Sequence, residues 1–161
     1  MIFARFGALV IAALGPVALG GCALSSSPAD ALQFQPPPGW HSSPGFLGFM
    51  QFWRPAADDR EVLMLFRSPR QVDPNQIFAD SRVQGDVKDV TVERRTKVYI
   101  CGAQPAQYFE ARGTSSHGDS RVDMMITNIA GKTYFAMYAR PIELPANPMA
   151  EAALRELCAK R

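Results

Sequence analysis

A short polar segment in the second half of the chain holds the residue types that hydrolytic catalysis uses. Residues 113–120 read GTSSHGDS and combine hydroxyl groups, the imidazole of His117 and the carboxylate of Asp119. A Ser-His-Asp triad needs a rigid scaffold that lets the acid orient the base. Neighbouring residues in a glycine-bounded polar segment instead indicate a hairpin loop, and the sequence has no GxSxG elbow. We therefore predict no catalytic residues here, and the chain as a whole is predicted not to be an enzyme.

The sequence also contains few residues of the types that bind metals or cofactors. The chain has two histidines, His41 and His117, and three cysteines. A zinc site would need carboxylates at no recognisable spacing. The acidic segment 58–61 lacks the alternating oxygen ligands and glycine of a calcium loop, and it indicates a charged turn. We expect neither a metal nor a cofactor.

The first 22 residues have the pattern of an export signal. One positive side chain, Arg5, precedes an uncharged, mostly apolar run of 14 residues that ends at Leu19. A membrane-spanning helix needs about 20 apolar residues, so this run is short for one. A cleaved signal peptide fits the pattern better than a retained anchor helix.

The segment Leu19-Gly20-Gly21-Cys22 resembles the lipobox of bacterial lipoproteins. This resemblance implies cleavage before Cys22, a diacylglyceryl thioether on its thiol, and acylation of its new amino group, typically with palmitate. Ala23 follows where an aspartate would imply retention at the inner membrane. We therefore expect a lipid-anchored protein of the bacterial cell envelope, at the outer membrane and facing the periplasm.

These features predict a simple domain organisation. Residues 1–21 are the expected signal peptide, and residues 22–31, which are small and rich in serine, are the expected flexible tether. Residues 32–161 are the expected single domain, which is an ordinary size for one folded unit.

Two cysteines, Cys101 and Cys158, remain once Cys22 carries lipid. Export would place them in an oxidising compartment, where disulfides form and persist. Cys101 ends a predicted strand, and Cys158 falls on the inner face of a predicted helix. We predict a disulfide between them, the alternative being two separate buried thiols.

Hydrophobic periodicity predicts the elements of the folded domain. Strand-like patterns occupy residues 48–54, 61–67, 90–101, 106–112 and 121–139. The continuous apolar run Val62–Phe66 predicts a strand covered on both faces. The last pattern breaks into a hairpin at Gly131, and alternation at Leu32 and Phe34 indicates a further strand at the start.

Two Asx-Pro pairs predict helix starts, because each combines an N-cap with proline at the first helical position. The pair at Asp73 opens a helix to about Gln84, and the pair at Asn147 opens one to about Lys160. The second helix has an apolar face formed by Met149, Ala153, Leu154, Leu157 and Cys158.

Most of the strands are joined by turns, so we predict an α+β fold, an antiparallel sheet with helices packed on it. The element order, together with Pro38-Gly39-Trp40 at the start, resembles the Mog1/PsbP-like α-β-α sandwich. Domains of that type act by contact rather than by catalysis, so the resemblance implies a binding role.

An aromatic-dense segment opens the domain and offers the candidates for partner binding. Trp40, Phe46 and Phe49 are the candidates for an apolar contact surface, and the alternative is that the aromatic residues of this segment belong to the core. Phe46 follows a Pro-Gly turn, which favours its exposure.

The charge balance excludes one large class of partners. The 161 residues include 17 Lys and Arg against 15 Asp and Glu, a net charge of +2. No basic field is available to hold a nucleic-acid backbone, so we expect no nucleic-acid partner. The sequence predicts a non-enzymatic envelope protein held to membrane lipid by acylated Cys22, binding or supporting an envelope protein or a small apolar ligand. The alternative is an envelope hydrolase with a site assembled from distant residues.

Overall fold

A computed structural model describes residues 27–45, 48–74 and 87–160. Within these ranges the chain forms a 3-10 helix, Pro28–Ala31, seven strands and one α-helix, α1, Pro148–Leu154. The strands are β1 Trp40–Pro44, β2 Met50–Pro55, β3 Val62–Arg67, β4 Lys88–Ile100, β5 Gln104–Ser115, β6 Gly118–Ile129 and β7 Lys132–Pro141. None of the helices in these ranges is long and apolar enough to cross a membrane.

The seven strands form one sheet in the order β1-β2-β3-β7-β6-β5-β4, and every neighbouring pair is antiparallel. The predicted antiparallel sheet is therefore confirmed, as are strands close to the five predicted segments. Strand β1 was not predicted, because its sequence WHSSP lacks the alternation of apolar and polar residues that marks a strand.

The centre of the sheet is buried on both faces. Leu63, Met64 and Leu65 are consecutive residues of β3, and all three are fully buried. Consecutive side chains of a strand point to opposite faces, so both faces of β3 are covered. This confirms the prediction made from the continuous apolar run.

The two faces carry separate hydrophobic clusters. On one face, here called the helix face, Leu63 and Tyr138 pack with Leu154 and Leu157 of the C-terminal segment. On the opposite face, Met64 packs with residues of β5, β6 and β7, among them Phe109, Met124, Ile126, Phe135 and Met137. Val72 and Val87, on either side of residues 75–86, also pack against the opposite face.

The predicted hairpin at the end of β6 is confirmed. Ala130 and Gly131 both have positive φ, 49° and 74°, as the tight turn between β6 and β7 requires. The loop predicted at residues 113–120 is also a hairpin but is much shorter, because β5 continues to Ser115 and β6 starts at Gly118.

Helix α1 begins as predicted but ends early. The Asn147 side chain accepts hydrogen bonds from the N–H groups of Met149 and Ala150, and α1 ends at Leu154 rather than near Lys160. The residues beyond it leave the helix because they pair with the start of the domain, where Gln33 N donates to the Cys158 carbonyl at 2.8 Å. Cys158 therefore lies beyond the helix and not on its inner face. The other predicted helix falls, after Pro74, outside the described residues.

The start of the domain also differs from the prediction. The 3-10 helix Pro28–Ala31 falls within the segment expected to be a tether, and Pro28 is buried. Its preceding residue, Ser27, donates a side-chain hydrogen bond to Gln51 of β2. Leu32 and Phe34 are buried in the helix-face cluster, but Leu32 forms an isolated bridge with Ala159 rather than a strand. The packed body thus begins a few residues before Leu32.

A disulfide joins Cys101 and Cys158, whose Cα atoms are 5.7 Å apart and 57 residues apart in sequence. It connects the turn between β4 and β5 to the segment after α1. The predicted disulfide is present, although Cys158 reaches it from an irregular segment and not from a helix.

We expect replacement of Cys101 and Cys158 with serine to lower the free energy of unfolding by about 4 kcal/mol, because the closed loop no longer restricts the unfolded chain. Urea denaturation of the oxidised protein and of the double variant measures this difference. Reductant should destabilise the wild type and leave the double variant unchanged. Equal stability of the oxidised wild type and the double variant would contradict the expectation.

Gly113 of β5 lies against the segment that leads into β4. A Cβ atom at this position would meet Val87 Cγ1 at 2.5 Å and the Lys88 carbonyl oxygen at 2.9 Å. We expect Gly113→Ala to reduce the free energy of unfolding by about 1–3 kcal/mol through overpacking. Thermal unfolding provides the measurement, with Thr114→Ala as control because the Thr114 side chain is exposed. An unchanged melting temperature of Gly113→Ala would contradict the expectation and show that the segment around Val87 shifts to accommodate the added methyl group.

Candidate functional site

A cleft of about 450 Å³ opens where the β2–β3 turn approaches the β5–β6 turn. Its apolar lining residues are Val62, Val87 and Ala139. Its polar lining comprises three arginines, three serines, one histidine and one aspartate, namely Arg54, Arg60, Arg140, Ser115, Ser116, Ser120, His117 and Asp59. The lining thus mixes basic, acidic and hydroxyl side chains from four strands and two turns.

Arg60 is held in place by a neighbouring carboxylate. Its Nε and Nη2 donate to Asp58, with Nη2 at 2.7 Å from Oδ2, and its backbone N–H donates to Asp58 Oδ1 at 3.0 Å. Because these hydrogen bonds favour the ionised carboxylate, the pKa of Asp58 falls from 3.8 to about 2. The charged turn predicted at residues 58–61 is therefore present, built on this ion pair.

Arg140 lies near the end of β7 and is partly buried. Its Nη1 donates to the Leu144 carbonyl at 3.0 Å. Its Nε is buried and has no hydrogen-bond partner among the described residues. No carboxylate in the described ranges forms an ion pair with Arg140. Because successive side chains of a strand alternate, its side chain lies on the helix face with Tyr138, while its neighbour Ala139 lies on the opposite face.

Arg54 lies at the end of β2, directly across from His41 of β1. Its guanidinium carbon is 5.8 Å from the centre of the Phe52 ring, so the side chain crosses an aromatic face. His41 is exposed and does not line the cleft. The two histidines of the chain are thus placed differently, since His117 belongs to the cleft.

The hydroxyl groups of the β5–β6 turn bond to one another and to the backbone. Ser120 Oγ donates to Ser115 Oγ at 3.0 Å, and the His117 backbone N–H donates to Ser115 Oγ at 3.2 Å. Among the described residues, no serine hydroxyl is hydrogen bonded to the His117 imidazole. A triad requires that contact for proton transfer, so the turn has the geometry of an ordered hairpin.

A buried tyrosine links the cleft to α1. The fully buried Tyr138 donates its hydroxyl proton to Glu61, which follows Arg60, and accepts the Asn147 N–H at 3.0 Å. Burial and the neighbouring carboxylate raise the pKa of Tyr138 well above its usual range. The phenol therefore stays protonated at neutral pH and ties the β2–β3 turn to the start of the helix.

The structure places the aromatic candidates apart from the cleft. Trp40 is half-buried on the helix face, with its ring centre 6.4 Å from that of Tyr138. Phe49 is half-buried in the turn before β2, and Phe46 lies outside the described residues. The buried Trp53 packs on Phe34 at 5.1 Å, so part of this aromatic segment belongs to the core.

The remaining predicted sites lie elsewhere. Cys22, the expected lipidation site, lies outside the described residues. The Cys101–Cys158 disulfide is at the end of the sheet where β4 ends and β5 begins, whereas the cleft is where β5 ends. A second cleft of about 390 Å³, lined by Lys97, Tyr99, Gln107 and Asn128 among others, adjoins Pro74.

The three cleft arginines were not predicted from the sequence. Arg54 is the penultimate residue of β2, Arg60 belongs to the following turn, and Arg140 lies near the end of β7, so no short motif contains them. The one signal in the sequence was the pair of polar segments at residues 58–61 and 113–120. Each predicted a turn, and the sheet order brings both turns to the same end.

We expect Arg60→Ala to return the pKa of Asp58 from about 2 toward 3.8, because the hydrogen bonds from the guanidinium are lost. A carboxyl group whose pKa is lower in the folded than in the unfolded state stabilises the folded protein at pH values above its unfolded pKa. That contribution disappears as pH falls through about 2. Carbon-13 NMR titration of the Asp58 carboxyl measures the shift, with Arg70→Ala as the control. A pKa still near 2 in Arg60→Ala would assign the effect to another group.

Comparison with known proteins leaves the relationship at the level of fold. No protein-family model matches the chain, and no curated protein matches it. The structure is similar to that of cyanobacterial PsbP (CyanoP) from Synechocystis sp., with a TM-score of 0.55 and 16% identity. That match covers 81% of this chain and 88% of the cyanobacterial one.

A protein from Bacteroides thetaiotaomicron is also similar, with a TM-score of 0.56 and 12% identity. The match covers 84% of this chain and 47% of that one, so this chain spans about half of its length. The PsbP-like part of the resemblance predicted from element order is therefore confirmed. The chain has a PsbP-like fold.

Proposed function

We propose that this chain is a lipid-anchored protein of the bacterial cell envelope whose domain binds a partner and performs no catalysis. The observation that carries the proposal is the Cys101–Cys158 disulfide, because disulfides persist in oxidising compartments. The lipobox-like segment 19–22 supplies the matching export and lipidation signal. Disulfide and signal point independently to a location outside the cytoplasm.

Acylation of Cys22 would anchor the protein in membrane lipid. Two or more acyl chains give stable attachment, whereas one gives only marginal binding. Ala23, in the position after the lipidated cysteine, favours the outer membrane, with the domain facing the periplasm. The proposal also includes the full α-β-α layering, with a helix over residues 73–84 in addition to α1.

The arrangement of side chains favours the arginine-lined cleft as the contact site of the domain. An envelope protein or a small apolar ligand could also meet Trp40, Phe46 and Phe49, the candidates chosen from the sequence. Trp40 and Phe49 are already half-buried against the domain, which leaves less of each side chain for a partner. We propose no nucleic-acid partner, metal or cofactor for this role.

An envelope hydrolase is the second candidate, and one observation favours it. His117 and three serines, Ser115, Ser116 and Ser120, line the same cleft. The Ser115 and Ser120 hydroxyls are nevertheless bonded to each other rather than to the imidazole. Catalysis would require these serine hydroxyls to leave each other and turn towards the imidazole, whereas binding requires no such change.

Intact-mass analysis of the protein extracted from cell membranes tests the proposal. We expect a wild-type mass equal to residues 22–161 plus acyl chains, with two thiols that react with an alkylating reagent only after reduction. Cys22→Ser should remain unacylated and uncleaved, because the modified thiol is what the processing steps require.

The matched control is Cys101→Ser, which should keep the acyl chains and expose one thiol without reduction. This variant separates lipidation from disulfide formation. A wild-type mass corresponding to all 161 residues, with free thiols, would overturn both the anchor and the compartment.

A further inference from the structure

We propose that the second cleft, between Pro74 and the surface of β4, β5 and β6, binds a saccharide. This inference goes beyond the role proposed above, because it concerns another site and another class of ligand. The side chains that carry it are one exposed aromatic ring and two amides, those of Tyr99, Gln107 and Asn128. The cleft volume of about 390 Å³ falls in the range of about 300–1,000 Å³ that is usual for small-molecule sites.

Strand pairing builds the floor of this cleft from two adjacent rows of side chains. Lys97 pairs with Gln107, and Gln107 pairs with Ile126, so these three residues form a row across β4, β5 and β6. Tyr99 pairs with Pro105 in a second row, two residues further along. Because side chains alternate along a strand, both rows lie on the face of Ile126, which belongs to the opposite-face cluster.

Tyr99 offers an aromatic ring to a ligand. Its side chain is 77% exposed, more than any other large hydrophobic residue in the described ranges. The face of an aromatic ring carries partial negative charge, whereas the C–H groups of a sugar ring carry partial positive charge, so the two attract each other when they stack. A single exposed aromatic residue is ordinary on a protein surface, and the polar groups beside this ring are what indicate a site.

Gln107 carries an acceptor that has no donor. Its Oε1 atom is buried and lacks a hydrogen-bond partner within the part of the chain that the structure describes. Buried acceptors without a donor are rare, because their lost contact with water is not replaced. A ligand hydroxyl that enters the cleft would supply the missing donor.

The amide of Asn128 is held in a fixed orientation. Its Oδ1 accepts a hydrogen bond from Thr133 Oγ1 at 2.6 Å. Thr133 Oγ1 in turn accepts the Val72 N–H at 2.9 Å, which ties the segment leading to Pro74 to the same strand pair. Since Oδ1 is engaged, Nδ2 is left to donate to a ligand. A donor that is already positioned loses less entropy on binding.

The chemistry of the lining favours hydroxyl groups over charged groups. A sugar hydroxyl both donates and accepts hydrogen bonds, as the side-chain amides of Gln107 and Asn128 also do. Lys97 is the one charged side chain among the described lining residues, and none of those residues is a carboxylate. A saccharide, with C–H faces and several hydroxyls, therefore uses the ring, the buried acceptor and the amide donor together.

Binding to the full-length protein purified from membranes tests the proposal. The detergent has a polyoxyethylene head group, because a sugar-based detergent would compete for the cleft. The probes are maltotriose and triacetylchitotriose. Isothermal titration calorimetry gives the affinities, and proton–nitrogen NMR of the Gln107 and Asn128 side-chain amides locates the site.

We expect saturable shifts of both amides, and about tenfold weaker binding in Tyr99→Ala, because a stacked aromatic ring contributes strongly. Tyr99→Phe keeps the ring and should bind like the wild type. Shifts with triacetylchitotriose alone assign a ligand that carries acetamido groups. Shifts with both probes assign the hydroxyls and ring faces that the two sugars share.

The matched control is Val92→Ala, which truncates another exposed apolar residue of β4 outside the cleft and should bind like the wild type. Gln107→Met removes the acceptor while keeping a similar shape, and it should bind more weakly. This variant serves as a second test in case Tyr99→Ala folds poorly.

The proposal is overturned if neither trisaccharide shifts the Gln107 and Asn128 amides. Equal affinity of Tyr99→Ala and the wild type, or equal weakening in Val92→Ala, would also overturn it. Shifts confined to residues 115–118 would do the same, because they would place the sugar in the arginine-lined cleft. The intact mass of the same sample tests the lipid anchor separately.

Discussion

Strands β3 and β7 lie side by side at the centre of the sheet, and neither strand has a face open to solvent. Burying a large aliphatic side chain is worth about 1.5–3 kcal/mol, so the consecutive buried residues Leu63, Met64 and Leu65 contribute strongly to the stability of the domain. A sheet with two apolar faces needs a cover on each. The arrangement of the remaining elements follows from that requirement.

On the helix face the cover comes from both ends of the described chain. Leu32 and Phe34 arrive from the N-terminal side, and Leu154 and Leu157 from the C-terminal side. These two segments also pair with each other, since Lys160 N donates to the Ala31 carbonyl at 3.0 Å. The Cys101 disulfide then ties this cover to the end of β4, so one covalent bond holds the sheet edge and the chain end together.

The opposite end of the sheet, where β5 ends and β6 begins, carries the cleft with its polar and charged lining. There the ends of β2, β5 and β7 and the two turns beside them line the cleft. Tyr138 joins this region to the core, because its buried hydroxyl binds Glu61 on one side and Asn147 on the other. The placement of the charged turn is thus coupled to the packing of α1.

Local patterns in the sequence determined a large part of this protein. The apolar run in β3, the glycine turn between β6 and β7, and the Asn-Pro start of α1 each depend on neighbouring residues, and each was predicted correctly. The cysteine count and the export signal were enough to predict the Cys101–Cys158 pairing. The predicted helix was wrong at residues 156–160. Their periodicity is helical, but their backbone pairs with Ala31 and Gln33 instead.

Only the tertiary structure decided the site. Arg54, Arg60 and His117 have no mutual spacing that a local pattern could reveal, and they line one cleft because β2, β3, β7, β6 and β5 are neighbours in that order. The same strand order brings the turn at residues 58–61 opposite the turn at His117. Periodicity reports which face of a strand is buried, but it does not report which strand lies beside it. Which distant polar segments lie together is therefore decided by strand order, a property of the folded sheet.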